Sequence, residues 1–125
     1  MKKIIHYCWF GNKKMEDYTI ACIKSWQEHF PNYQIMVWNE NNFDVNICDY
    51  TKEAYEAKQY AFVSDYVRLY ALYNYGGIYF DTDYEVFKNF EDLLTADLTL
   101  GFESIGKVQT AMMFSKKSNP NLLHF

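Results

Sequence analysis

Proline occurs twice and glycine five times in 125 residues, so the chain lacks the composition of a linker, a low-complexity tract or a disordered tail. Lysine and arginine total 12 against 16 aspartates and glutamates, giving a formal charge of −4 with no basic cluster. The electrostatic footprint of a phosphate-backbone binder is missing, and no nucleic-acid partner is expected. The three cysteines, Cys8, Cys22 and Cys48, are odd in number and form no CxxC pair. That argues against a disulfide frame or a zinc site and fits reduced thiols acting as buried filler in a cytoplasmic protein. No apolar run approaches the roughly 20 residues that span a bilayer. The run from Ile4 to Phe10 behind Lys2 and Lys3 is interrupted by His6 and lacks a small-residue cleavage site, so it reads as a first strand and not as a signal peptide. A soluble cytoplasmic protein is expected, with peripheral contact at the inner face of a membrane left open.

What the chain has in abundance is apolar and aromatic surface: half the residues are hydrophobic, and 12 Tyr, 10 Phe and 3 Trp make up a fifth of the total. A single domain over 1–125 is expected, burying about two thirds of its unfolded surface. Most of those rings are assigned to core. Strand and helix patterns alternate. Lys3 to Trp9 is rich in β-formers and runs into Gly11 and Asn12; Glu16 to Phe30 carries Ile20, Ile23, Trp26 and Phe30 at helical intervals and stops before Pro31; Gln34 to Trp38 is a second strand followed by the polar run Asn39 to Asn42. Thr51 is placed as the N-cap of a short helix through Lys58. His6, in mid-strand, reads as a core histidine whose hydrogen bonds are satisfied.

The stretch with chemical content is Ser64 to Phe87, SDYVRLYALYNYGGIYFDTDYEVF. Phe62, Tyr66, Leu69 and Tyr73 recur at helical spacing and predict a helix to Tyr75 with that stripe facing the core. Gly76 stands where a left-handed C-cap is needed. Ile78 to Phe80 is too short for a helix and right for a buried strand, which delivers Asp81 and Asp83 at its carboxyl end, two residues apart in an extended backbone and so on one side. Paired carboxylates suit a hard divalent cation, Mn2+ or Mg2+, which takes one or two protein oxygens and lets substrate phosphates complete its shell. Asp65 and Arg68, at i and i+3, share one face of the preceding helix. Each feature alone is commonplace: a DxD is usually a solvated turn and an Asp/Arg pair usually a surface contact. Their order and spacing carry the signal.

That succession resembles the sugar-nucleotide-binding core of glycosyltransferase family 32, the DxD-bearing group that includes yeast-type initiating mannosyltransferases and bacterial capsular polysaccharide enzymes. It is also similar to the glucosyltransferase domain of the large clostridial toxins, with the same SD, Arg, GG and DxD order. The initial IIHYCWFG matches the family's first strand and aromatic, so the resemblance covers about residues 3 to 87. It implies a GT-A-like, Rossmann-like α/β fold with a mainly parallel central sheet; the strand-helix alternation over the first 83 residues independently puts the strand ends at Trp9, Trp38 and Asp81 on one edge. The resemblance further implies transfer of a hexose or N-acetylhexosamine from a nucleotide sugar, UDP-linked, to a glycan or lipid-linked glycan, with retained configuration. Trp9 would stack on the base, and Asp83 would hold the metal with Asp81 on ribose or sugar hydroxyls and on the metal through water. Asp65 and Arg68 would grip the transferred sugar, with Ser64 and Tyr79 counted among the donor-binding residues. Independently of the resemblance, the polar loop at the carboxyl edge of the second strand puts Asn39 and Glu40 within reach of base or ribose, although four polar residues in a row are more often a solvated loop.

Beyond the DxD, Tyr84 to Phe87 reads as a strand continuing outward, Phe90 to Leu94 as a helical turn, and Asp97 to Phe102 and Val108 to Phe114 as strands around a Ser104 to Lys107 turn, giving a mixed later sheet. Asn119 and Pro120 open a helix pattern that stops at Phe125. The chain is therefore expected to be the donor-binding half of a longer enzyme, truncated at its C-terminus, with the acceptor half missing. Two other readings compete. An apolar strand ending in DxD also opens the haloacid-dehalogenase phosphatases, although Tyr84 and Glu85 replace the small turn residues found there and the Asp65/Arg68 helix has no task in that chemistry. A non-catalytic nucleotide-sugar-binding fragment is the other.

Overall fold

The computed structural model describes residues 3–94, 98–104 and 107–124. The elements follow in the order β1 (Ile4–Cys8), α1 (Asp17–His29), β2 (Gln34–Trp38), α2 (Asp49–Glu56), α3 (Tyr60–Tyr75), β3 (Gly77–Phe80), β4 (Leu98–Ser104) and β5 (Lys107–Ser115), with single 3-10 turns at Val45–Ile47, Glu91–Leu93 and Pro120–His124. The five strands form one sheet in the order β2-β1-β3-β5-β4. β1 pairs in parallel with both β2 and β3, whereas β5 is antiparallel to its neighbours β3 and β4. Four strands therefore run the same way and only β5 opposes them, so the mainly parallel sheet with a mixed later part is borne out. Asp97 and the tip of the β4–β5 turn lie outside the described residues.

Every residue of β1 and β3 is buried, as central strands covered on both faces require. Side-chain alternation sends Ile5, Tyr7, Ile78 and Phe80 to the face that carries Trp26 of α1 and Phe30 just after it. Cys8 and Tyr79 go to the other face, against Val63, Val67, Ala71 and Leu72 of α3. Three layers result, helix on sheet on helix.

The inward face of α3 is not the one expected, whereas α1 turns Trp26, the following Phe30 and, in part, Ile23 to the core as expected, with Ile20 alone departing. In α3 the fully buried positions are Val63, Val67, Arg68, Ala71 and Leu72, while Phe62 is 51% exposed and Tyr66, Leu69 and Tyr73 lie only partly buried at the core's margin. In α1 the buried residues are Thr19, Cys22, Ser25 and Trp26, and Ile20 faces outward. In α3 small and β-branched side chains permit close approach to the sheet, so its thin face packs inward and its bulky rings fill the flank. Thr51 lies inside α2: Cys48 is the N-cap residue, and the Thr51 hydroxyl donates to the Val45 and Cys48 carbonyls. Cys8 and Cys22 are buried as expected, whereas Cys48 is half-buried at the start of α2.

Tyr84 to Phe87 is not a strand. Its backbone bonds to α1 side chains instead, with the Trp26 indole donating to the Tyr84 carbonyl at 2.6 Å and the Ser25 hydroxyl accepting from the Val86 amide at 2.9 Å. These polar partners satisfy groups that a sheet ladder would otherwise claim. His6 is fully buried and neutral. Its Nε2–H donates to the Gly76 carbonyl at 2.9 Å and its Nδ1 accepts from the Trp38 indole at 3.1 Å, so both ring nitrogens are satisfied and burial lowers its pKa. The histidine thereby pins the helix-to-strand corner between α3 and β3. At that corner Gly76 has φ 72 and ψ 178, an extended conformation reserved for glycine and not the left-handed cap expected, although its amide still closes the helix onto the Leu72 carbonyl. Pro120 does open a helical segment, but as a 3-10 turn to His124.

Candidate functional site

Parallel pairing brings the carboxyl ends of β1, β2 and β3 to one edge: Cys8 is level with Trp38, and His6 is level with both Met36 and Tyr79. Trp9, Asn39 and Asp81, each the first residue after its strand, consequently share that edge, where open α/β sheets bind ligands. The two tryptophans differ. Trp38 is buried among His6, Tyr70 and Tyr75. Trp9 is half-buried, leans on the α1-side core and donates its indole N–H to the Lys13 carbonyl at 2.6 Å.

The centre of the site is Arg68, whose side chain is only 7% exposed. Its Nη2 lies 2.9 Å from Asp65 Oδ1 and 3.3 Å from Asp81 Oδ1, its Nε donates weakly to the Ser64 carbonyl at 3.4 Å, and its guanidinium sits 5.0 Å above the Tyr79 ring. Strand alternation explains the geometry, because Tyr79 and Asp81 share the α3 side of β3 and the helix brings Arg68 down onto both. Ser64, Asp65, Arg68, Tyr79 and Asp81 are thus brought together. Tyr79 itself is buried and serves as the platform beneath the guanidinium. The Cys8 thiol below it is pushed up to about 12 by burial and stays protonated.

Asp81 and Asp83 do not continue an extended strand. The Tyr84 amide donates to the Asp81 carbonyl at 3.0 Å, closing a turn over residues 81–84, with Asp81 partly buried and Asp83 exposed at its corner. Burial raises the Asp81 pKa; Arg68 and the Tyr79 hydroxyl oppose that shift without cancelling it. A raised carboxylate pKa means that the folded state binds more protons than the unfolded chain above pH 3.8, so ionised Asp81 costs stability at neutral pH and the cost disappears as pH falls below that value. Asp81→Asn should therefore unfold at the same temperature as the parent or a higher one at pH 7, and the difference should vanish near pH 3.5 in a thermal melt series. A marked drop at pH 7 would show that the charge is stabilising.

Among the described residues no third His, Cys, Asp or Glu joins these two carboxylates. An oxygen-only pair on an exposed turn still fits a hard divalent cation that draws its remaining ligands from a diphosphate and water. The loop after β2 is braced internally: Asn39 Oδ1 accepts from the Asn41 amide, and Asn42 accepts from the Asn39 amide while donating to the Val37 carbonyl. It borders an open cavity of about 530 Å³ lined by residues 40–46 and Tyr55. Sequence reasoning gave no role to Tyr50, half-exposed at the start of α2, whose pKa is raised first by desolvation and then by the Asp65 charge, with Arg68 opposing. Only the packing of α2 beside α3 reveals it.

The model of the glycosyltransferase sugar-binding region containing the DXD motif matches residues 16–100, more than half of the chain and including every site residue named here except Trp9. The chain belongs to this glycosyltransferase family. Inositol phosphoceramide mannosyltransferase 3 of Schizosaccharomyces pombe is 29% identical over 125 residues, 97% of this chain and 35% of that protein. The solved PaToxG glycosyltransferase superposes with a TM-score of 0.74 at 18% identity over 98% of this chain and 56% of its own, which bears out the expected GT-A-like fold. This family member thus spans about a third of one relative and just over half of the other. Among the described residues no helix is long and apolar enough to cross a membrane.

Proposed function

We propose that this chain forms the donor-binding half of a retaining glycosyltransferase that moves a hexose or N-acetylhexosamine from a UDP-sugar to a glycan or lipid-linked glycan, in the cytoplasm or at the inner membrane face, for cell-surface or capsular polysaccharide. The observation that carries the reading is the buried Arg68 joining Asp65 on the helix to Asp81 at the strand end, one turn from the exposed Asp83. Trp9 would stack on uracil, and Asn39 would meet base or ribose with its amide. Asp81 would hold ribose or sugar hydroxyls, while Asp83, with Asp81 through water, would hold Mn2+ or Mg2+. A cation bound there supplies Lewis-acid stabilisation of the departing diphosphate. Asp65, half-exposed and held in place by Arg68, faces the transferred sugar and places negative charge near the carbon where positive character builds; Arg68 and Ser64 fix its orientation. Arg68 ties the Asp81 carboxylate to Asp65 on the helix, an arrangement that has a task in holding a sugar donor and none in the phosphohydrolase reading, which favours transfer.

A panel of nucleotide sugars tested by thermal shift with Mn2+, followed by donor hydrolysis on the hits, checks the reading. Stabilisation by a UDP-sugar is expected, and slow hydrolysis of that donor to UDP and free sugar. Turnover of phosphorylated metabolites, with no nucleotide sugar shifting the melt, would overturn it.

A further inference from the structure

The loop that carries Trp9 is tied to the rest of the ligand edge through one carboxylate. The Trp9 amide donates to the Trp38 carbonyl at 2.9 Å, the last rung between β1 and β2. Two residues further along each strand the pairing continues through a side chain, because the Gly11 amide donates to Glu40 Oε2. The same oxygen accepts from the Tyr55 hydroxyl of α2 at 2.9 Å. Tyr55 in turn packs edge-on against Tyr60 of α3, with ring centroids 5.6 Å apart. The Tyr60 ring lies against Gly11 so closely that a β-carbon there would come within 2.6 Å of it, and Gly11 has φ +96, so the loop is shaped around this contact. The loop then returns to place the Lys13 carbonyl on the Trp9 indole N–H.

We propose that Glu40 is a positioning residue for nucleotide binding: it ties the 9–13 loop at Gly11 to α2 and α3, and through that loop it fixes the Trp9 ring, which rests on the α1-side core, in the orientation that meets the base. This rests on the donor-site reading above and deepens it. It gives Glu40 a role besides the expected contact with base or ribose, since its Oε2 accepts from two protein donors. Burial works against the ionised carboxylate, but the hydrogen bonds it accepts, from Gly11 and Tyr55 among others, together outweigh that cost, and the Glu40 pKa is lowered. An ordered aromatic loses less freedom on stacking than one on a loose loop, so the gain is preorganisation and not a new contact.

Calorimetric titration of the full chain with UDP and Mn2+ tests the proposal in a double-mutant cycle. Glu40→Ala should weaken UDP about tenfold, within the range that one base stacked on an aromatic contributes. Glu40→Gln should restore affinity to within about twofold, because a single amide oxygen can accept from both the Gly11 amide and the Tyr55 hydroxyl. In a Trp9→Ala background Glu40→Ala should have no further effect, as two residues acting through one contact must be non-additive. Full additivity, an unaffected Glu40→Ala, or a glutamine as poor as alanine would each overturn the assignment. The Gly11 amide and Trp9 indole resonances, read without nucleotide, separate this failure from that of the donor-site reading. Their movement in Glu40→Ala and return in Glu40→Gln, in a protein that binds no UDP, would uphold the loop tie and sink the site; unmoved resonances would sink the tie itself.

Discussion

Alanine in place of Asp83 should abolish metal-dependent nucleotide binding and slow sugar transfer by about a hundredfold or more, the scale on which removal of one group stabilising a developing negative charge is felt. The fold should survive the change. Asp83 is exposed at the corner of the 81–84 turn, and that turn is closed by main-chain atoms, with the Tyr84 amide on the Asp81 carbonyl. The Tyr18 hydroxyl reaches the Asp83 carbonyl, which alanine retains. Surface substitutions of this kind alter stability by about 0.5 kcal/mol or less. The prediction is therefore a variant with the parent's melting temperature and no Mn2+-dependent gain in UDP affinity by calorimetry. An unchanged Mn2+ dependence would remove Asp83 from the metal site. Asp81→Asn makes the complementary case, since the same turn there carries a carboxylate whose ionisation opposes folding.

Gly77→Ala should cost about 3 kcal/mol or more, a large share of the roughly 5–15 kcal/mol that holds a domain together. Gly77 has φ 110, a conformation that side chains rarely adopt, and an added β-carbon would overlap the Ile4 carbonyl oxygen of the neighbouring strand. That oxygen is backbone in the middle of the sheet and has nowhere to move. β3 pairs with β1 through Ile5 with Ile78 and His6 with Tyr79, so relief of the overlap must pry the two central strands apart. It would also shift Asp81, four residues on, away from Arg68. Urea unfolding would register the loss as a lowered midpoint, together with weakened nucleotide binding in whatever fraction stays folded. A midpoint equal to the parent's would contradict this account.

Much of the fold was legible in the sequence for reasons that are local. β2 occupies Gln34–Trp38 as expected, and β1 and α1 each fall within a residue of the expected limits at both ends, because a five-residue β-forming run and a helical repeat ended by Pro31 need no distant information. The break between α3 and β3 was equally plain, since two successive glycines at positive φ stop a helix whatever packs around them. His6 was readable as core from its place in an apolar strand, although its two partners, Gly76 and Trp38, were not.

By itself, the sequence determined that a buried strand follows a helix through a glycine corner and presents two aspartates, and that an Asp/Arg pair lies one helical turn apart on that helix. Tertiary structure alone decided which face of α3 turns inward. Phe62, Tyr66, Leu69 and Tyr73 form as apolar a stripe as Val63, Val67, Ala71 and Leu72, so composition cannot choose between them, whereas the smaller side chains let helix and sheet approach. It also decided that Arg68 reaches Asp81, that α1 side chains take the backbone of residues 84–86 out of the sheet, and that Glu40 spends its carboxylate on Gly11 and Tyr55. Periodicity records which residues recur on one element. Such bonds join groups 13 to 61 positions apart, and they exist only once parallel pairing has brought three strand ends together and packed three helices around them.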